Sequence, residues 1–322
     1  MLIKFSIIIP VYNRPKEIDE LLESLIKQQF SDSFEVIIIE DGSKVTCKTI
    51  VKKYKPQLNI QYFFKENNGA GISRNYGMQH ANGNYFIILD SDVILPKQYL
   101  FEVKKILQQN YTDAFGGPDA AHQNFTPLQK AINYSMTSLL TTGGIRGKKK
   151  GLGKFQPRSF NMGISKEAFL KTKGFNRFKV GEDIDLTFRL WKNGYTTQLI
   201  EEAFVYHKRR NTLNQFFNQT LVFGKARPQL NKRYPSTAKI TYWFPSMFIV
   251  GLYISIILLL FGYWQFLAFY GVYILMIFLD SLLENKSVQV AFLSIITSLT
   301  QFLGYGWGFL QSTFFKNKEH ET

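Results

Sequence analysis

The sequence predicts a doubly wound α/β domain with a mostly parallel sheet, followed by a C-terminal helical region apolar enough to cross a membrane. Three observations carry this. Short β-branched apolar runs at Phe5–Ile9, Glu35–Ile39 and Tyr85–Leu89 have the length and composition of strands buried on both faces of a parallel sheet. Between the first two, Ile18, Leu21, Leu22, Leu25 and Ile26 recur at helical spacing, with Pro15 near the start, where its fixed φ and missing N–H are tolerated. Finally, Thr241–Leu279 and Val288–Phe315 contain no charged residue, and a helix needs about 20 apolar residues to cross a bilayer.

Further helices are expected over Ile72–Ala81 and Pro96–Gln109, each starting near a strand end, and strand–helix alternation of this kind places ligands beyond the carboxyl ends of the strands. From Ala114 to Gln156 the pattern loosens, and the Gly- and Lys-rich stretch Gly143–Lys154 is expected to be a mobile loop. It lacks the Gly-x-x-x-x-Gly-Lys-Ser/Thr spacing of a phosphate-binding loop.

The apolar region divides into spans near Phe244–Phe261 and Trp264–Leu283, with a turn at Gly262 and Tyr263, and a third near Val290–Leu310. Asp280 then falls near an interface. Ser, Thr and Gln weaken the third span, which also puts Lys316 and Lys318 on the far side, against the positive-inside tendency. A re-entrant or in-plane third segment is the alternative. Thr212–Arg227 mixes Leu213, Phe216, Phe217, Leu221 and Phe223 with Lys225 and Arg227, which reads as an interfacial amphipathic helix or as an ordinary core helix.

Among 322 residues, Lys and Arg exceed Asp and Glu by 39 to 24, a net charge of +15. That balance favours anionic partners, phosphates or acidic lipid, and no nucleic-acid partner is expected. Ala203–Lys239 holds eight basic residues and no acidic one immediately before the spans, marking that side as cytoplasmic if it is more than a solvated basic face. Cys47 is the only cysteine and reads as structural. Phe5–Ile9 is too short for a signal-peptide core, and Pro10 and Asn13 stand where small cleavage-site residues would be, so the N-terminus is expected in the cytoplasm. The resulting domain map is a cytoplasmic catalytic domain over 1–210, a basic amphipathic interfacial segment over 211–240, two to three transmembrane helices over 241–315 and a polar tail over 316–322.

Three clusters point to chemistry at the sheet edge. Leu89-Asp90-Ser91-Asp92 sends two carboxylates out of the third apolar strand, oxygen ligands suited to Mg or Mn. Glu40-Asp41-Gly42-Ser43 ends the second strand and offers acceptors for a nucleobase or ribose, unless it is a simple Asp-Gly turn. Asn68–Asn75 brings Gly69 and Gly71 before a helix carrying Arg74, which suits phosphate.

In this order the segments resemble glycosyltransferase family 2, with its A-type fold. The matching pieces are Ile7-Ile8-Ile9-Pro10-Val11-Tyr12-Asn13, Glu40-Asp41-Gly42-Ser43, Gly71-Ile72-Ser73-Arg74-Asn75, Asp90-Ser91-Asp92, and Asn161-Met162-Gly163 followed by Gly181-Glu182-Asp183-Ile184-Asp185-Leu186. The resemblance covers residues 5–210. It implies that Pro10, Val11, Tyr12, Asn13 and Asp41 hold the nucleoside, that Arg74 lies near the nucleotide, and that Asp90 faces ribose or metal. It further implies that Asp92 binds a divalent Mg or Mn ion and that Asp183 is the general base of an inverting displacement, with Asn161 and Glu182 on the acceptor side. His207 is similar in position to a histidine that completes the metal site in such enzymes; otherwise it is a surface histidine beside basic residues. Asp185 is explained by the helix dipole alone.

Two features depart from the family pattern. Arg14 stands where many members have an acidic residue, and the Gln-x-x-Arg-Trp motif of processive synthases is absent, Gln219 and Arg227 lacking that spacing. The expectation is a hexosyl-type transferase (EC 2.4 class) moving one sugar from a nucleotide-sugar to a lipid-linked or membrane-proximal acceptor in glycan or cell-envelope synthesis, with membrane lipid as a further partner. A sugar-phosphate nucleotidyltransferase would need a Gly-rich loop after the first strand, and Tyr12-Asn13-Arg14-Pro15 is not one. A catalytically silent membrane scaffold that keeps the nucleotide-sugar fold is the other alternative.

Overall fold

The apolar runs become the middle of a seven-stranded sheet. The computed structural model describes residues 2–143, 154–177 and 180–315. Strands β1 (Phe5–Val11), β2 (Glu35–Asp41), β3 (Asn59–Lys65) and β4 (Tyr85–Leu89) lie parallel in the order β3-β2-β1-β4. Every residue of β1, β2 and β4 is buried, which is why these strands read as unbroken apolar runs. After β5 (Val93–Ile94), β6 (Ala114–Gly116) and β7 (Asp119–Ala120) comes β8 (Asn161–Ser165), inserted antiparallel between β4 and β6. Strand β9 (Thr197–Leu199) closes that edge parallel to β6, and β10 (Val205–His207) joins β5 and β7 in a small three-stranded sheet.

The connecting helices are α1 (Pro15–Ile26), α2 (Lys48–Tyr54), α3 (Ala70–Gln79) and α4 (Tyr99–Gln109); α5 (Pro127–Thr137) and α6 (Leu139–Thr142) follow, then α7 (Lys166–Thr172) and α8 (Glu182–Lys192). Successive side chains of a strand point to opposite faces. Ile7 and Ile9 accordingly pack with Leu21, Leu22 and Val103, while Ile8 joins Ile37, Ile39, Met78 and Leu186 on the other face. Gly77 lets α3 approach the sheet: a Cβ there would lie 2.5 Å from Ile39 Cδ1 and 2.7 Å from Ile8 Cγ2.

Two units divide the chain, Met1–His122 with Gly144–Lys208, and Gln123–Gly143 with Arg209–Thr322. The sequence places Gln123–Gly143 inside a continuous 1–210 domain; in the structure it groups with the C-terminal helices instead. The Gly/Lys stretch expected to be a loop lies, over 144–153, outside the described residues.

The second unit continues through α9 (Leu213–Arg233), α10 (Phe244–Leu259), α11 (Gln265–Asn285) and α12 (Val288–Phe314). Among the described residues three helices, over Ile240–Leu259, Gln265–Asn285 and Val288–Phe314, are long and apolar enough to cross a membrane. Helix α12 runs unbroken for 27 residues. Thr212 caps α9, its hydroxyl accepting from Gln215 N at 3.2 Å. Helix α9 packs intimately on α12, since a Cβ on Gly224 would sit 2.1 Å from Tyr305 O and one on Gly308 2.2 Å from Leu221 O.

Candidate active site

Strands β1, β2 and β4 run in parallel and end at Val11, Asp41 and Leu89, so the residues that follow them share one edge of the sheet. Pro10 and Val11 are buried at the end of β1 and Tyr12 is half exposed. Asn13 adopts a left-handed φ of 54°, uncommon for any residue but glycine and tolerated best by Asn and Asp. Its side-chain oxygen accepts from Lys44 N at 2.8 Å and Val45 N at 3.1 Å, and its own amide donates to Ser43 Oγ at 2.7 Å. The loops after β1 and β2 are thereby locked together.

Asp41 is committed to the loop before α3. It pairs with Lys65 and accepts from Asn68 N at 3.0 Å and Gly69 N at 2.9 Å. Burial works against ionisation, but these donors prevail and hold its carboxyl below the usual range. Asp41 is thus more than an Asp-Gly turn, since it fixes the start of the helix that carries Arg74.

Arg74 is fully buried and bridges two acids, donating to Asp90 Oδ1 at 2.7 Å and Glu182 Oε1 at 2.9 Å. Burial alone would depress its pKa; the two carboxylates reverse the sign and raise it. Glu182 goes the other way, raised by burial and by neighbouring Asp183 despite Arg74.

Asp90, Asp92 and His207 bring one ligand atom each to within 4.8 Å of one another. His207 Nε2 faces Asp92 Oδ1 at 3.3 Å, its Nδ1 faces Asp119 Oδ2 at 3.7 Å, and its ring stacks on Phe160 with centroids 4.9 Å apart. Burial would lower the pKa of His207, but Asp92 and Asp119 overcome it and raise it to about 9. Burial opposes ionisation of Asp92 as well, yet His207 and Arg14 hold its carboxyl far below the usual range. Arg14 is ion-paired with Asp92. Asp92 Oδ1 is buried, and its 3.3 Å contact with His207 Nε2 does not meet hydrogen-bond geometry, so a cation would satisfy it better. Two carboxylates and an imidazole converging on this oxygen fit a divalent cation such as Mg or Mn. His207 ends strand β10, and antiparallel pairing sets it opposite Val93, one residue after Asp92.

At the start of α8, Asp183 Oδ1 accepts from Ile184 N at 2.8 Å and Oδ2 from Ser159 N at 3.3 Å, with Arg158 Nη1 at 3.7 Å. Asp185, fully buried, accepts from Asn176 Nδ2 and Arg189 Nε, both at 2.8 Å, and so serves the fold. Asn161 also has no exposed surface to offer an acceptor: it accepts from Tyr99 OH at 2.6 Å and donates to Ala203 O at 2.7 Å. Sequence reasoning did not find Asp119, Arg158 or Lys65. Asp119 follows Gly116-Gly117-Pro118, a pattern that looks like a turn, and only the β7–β10 pairing reveals its neighbour.

The Glycosyl transferase family 2 model matches residues 6–172, just over half of the chain. The chain belongs to this family. Asp183 and His207 lie beyond the matched stretch. Among similar proteins, the poly(ribitol-phosphate) β-N-acetylglucosaminyltransferase TarS of Staphylococcus aureus is 36% identical over 115 residues, 35% of this chain and 20% of that protein. Chondroitin synthase of Pasteurella multocida is 27% identical over 241 residues, 64% of this chain and 25% of that one. This family member therefore matches a fifth to a quarter of the length of these relatives. Of solved structures, S. aureus TarS 1–349 in complex with UDP-GlcNAc aligns at TM-score 0.50 and 22% identity over 69% of this chain and 65% of that one. Mannosyltransferase PcManGT from Pyrobaculum calidifontis, in complex with GDP-Man and Mn2+, aligns at TM-score 0.62 and 15% identity over 98% of this chain and 89% of that one. These likenesses establish the A-type fold.

Proposed function

We propose that this glycosyltransferase moves a single hexosyl-type sugar, with inversion, from a nucleotide-sugar to the hydroxyl of a lipid-linked or membrane-proximal acceptor in glycan or cell-envelope synthesis. The observation that carries this reading is the convergence of Asp90, Asp92 and His207 at the sheet edge, with Arg74 tying Asp90 to Glu182, the neighbour of Asp183. Pro10 to Asn13 and Asp41 frame the nucleoside, and Arg74 holds the two acids together beside the diphosphate. Asp90, Asp92 and His207 would hold a Mg or Mn ion, which when bound supplies Lewis-acid neutralisation of the leaving diphosphate.

Asp183 takes the proton of the acceptor hydroxyl as the acceptor oxygen forms its bond to the anomeric carbon. The bond from that carbon to the diphosphate oxygen breaks, and the electron pair leaves with the nucleoside diphosphate. A single displacement needs no covalent enzyme intermediate. The Ile184 and Ser159 amides fix the orientation of the Asp183 carboxylate. The basic stretch before α10 and the apolar helices favour a membrane-bound enzyme whose catalytic unit lies on the cytoplasmic side.

One observation favours a catalytically silent scaffold instead: Arg14 occupies Asp92, the carboxylate that the metal needs. Incubating detergent-purified protein with a panel of nucleotide-sugars, with Mg or Mn and with chelator, separates the two. Metal-dependent release of a nucleoside diphosphate from one donor, lost in Asp92→Ala, supports the transferase; no binding or turnover of any donor supports the scaffold.

A further inference from the structure

All three apolar helices have the length to cross a bilayer, but their mutual packing distinguishes the third. Helices α10 and α11 form an antiparallel hairpin: Tyr270 OH donates to Phe248 O at 3.1 Å, and Phe244 and Phe248 meet the Tyr273 ring. The distal half of the hairpin stands bare, with Leu260, Phe261 and Phe269 71–82% exposed. Its 20- and 21-residue stretches are each about 30 Å long, the thickness of a hydrocarbon core.

Helix α12 meets this hairpin at its base. It begins three residues after α11 ends, with Ser281 Oγ 2.7 Å from Ser294 Oγ and the Phe278 and Phe292 rings 4.9 Å apart. At its other end, Phe309 and Phe314 lie 4.9 and 6.3 Å, centroid to centroid, from Trp243, immediately before α10. Toward the same end, Ser246 Oγ donates to Gly306 O at 3.1 Å. Both ends of α12 therefore sit at the end of the hairpin where α10 starts and α11 finishes. A helix that crossed the bilayer would carry its far end to the turn at Gly262.

Side-chain distribution agrees. Phe292, Ile296, Leu303, Trp307 and Phe314 follow one another at intervals of four and seven residues and are 46–67% exposed, an apolar stripe along one face. The opposite face buries Ser294, Thr297, Ser298 and Gln301, and Ser135 of α5 shares hydrogen bonds with Thr297 at 2.6 Å and Ser298 at 3.1 Å. The α9 contact at Gly304–Gly308 lies about 24–30 Å from the start of α12. An upright α12 would draw α9, with Lys225 and Arg227, through the hydrocarbon, where charged side chains are costly.

We infer that α12 lies along the membrane surface on the catalytic side, its stripe in the acyl boundary, and that only the α10–α11 hairpin crosses. This rests on the membrane reading of the helical unit. Phe315 then lies on the face from which α10 enters, and the Lys316 and Lys318 that follow it in sequence agree with the positive-inside tendency.

Single-cysteine labelling of the full chain in its membrane tests this, because Cys47, the one native cysteine, is fully buried. Leu170→Cys, Tyr263→Cys and Phe315→Cys are treated with a membrane-impermeant maleimide in sealed right-side-out and inverted vesicles. Positions 170 and 315 should react from one side and 263 from the other. Reaction of 315 together with 263 overturns the inference and restores three spans. Reaction of 263 together with 170 refutes the membrane reading itself. Should 315 react from neither side, protease sensitivity of a tag placed after Thr322 decides: cleavage from the side of 170 upholds the inference and cleavage from the side of 263 overturns it.

Discussion

Replacing Arg14 by Ala should tighten Mn2+ binding to the nucleotide-free protein. The Arg14 guanidinium is ion-paired with Asp92, one of the three groups that converge for a cation, and the two side chains are 33% and 14% exposed. A metal that binds Asp92 must displace this contact. Fully exposed pairs are worth under about 1 kcal/mol, and hydrogen bonds to charged groups about 1.5–3 kcal/mol; partial exposure puts the contact at about 1–2 kcal/mol. The dissociation constant for Mn2+ should fall roughly 5- to 30-fold, and Arg14→Lys should lie between, because a lysine keeps the charge without the planar fork. Electron paramagnetic resonance of free Mn2+, titrated with protein in detergent, reads this directly without turnover. An unchanged or weaker affinity in Arg14→Ala would refute the competition.

Arg74→Met should destabilise the catalytic unit by at least about 2 kcal/mol, since it strips the partner from two acids, while Asp90's 31% exposure keeps the loss below the 3–5 kcal/mol of a fully buried pair. Thermal unfolding would measure it, and adding Glu182→Gln should recover part of the loss; a cost under about 1 kcal/mol would contradict the bridging role. Its neighbours raise His207 from the ordinary histidine value of 6.5 to about 9, so its contribution is complete below pH 6.5 and is lost as pH rises through about 9. In chelator, the melting temperature should therefore drop across that window, and the drop should vanish in His207→Asn; an identical pH profile in both proteins would oppose it. Asn161→Ala leaves the Tyr99 hydroxyl and the Ala203 carbonyl without their partner, at a cost of about 2–4 kcal/mol. It should lower the melting temperature without selectively raising the acceptor KM, whereas a selective rise in KM would return Asn161 to the acceptor side.

Strands β1, β2 and β4 were legible because both of their faces are buried, which imposes one kind of residue along the whole run. Strand β3 was not, since an edge strand with residues such as Asn59 and Phe64 exposed carries no such signature. Helix α5 escaped for a different reason: its buried face includes Asn133 and Ser135, which are satisfied by residues far along the chain, so no local pattern marks it as core. The carboxylates at the sheet edge were visible because strand, turn and acid are contiguous in sequence. Asp119 and Arg158 reach the site through pairing of distant segments. Arg14 stood out only as a departure, and the identity of its partner depends on the turn that returns Asp92 beneath it.

The central claim is that Asp183 acts on the acceptor hydroxyl while the Asp90, Asp92 and His207 cluster serves the donor. It is tested most directly by measuring donor affinity and nucleoside diphosphate release side by side in wild type and Asp183→Asn. The account predicts donor binding that is preserved and release that is ~10²- to 10⁴-fold slower, the usual contribution of a positioned general base. Turnover undiminished in Asp183→Asn, or donor binding lost in parallel with turnover, would contradict it.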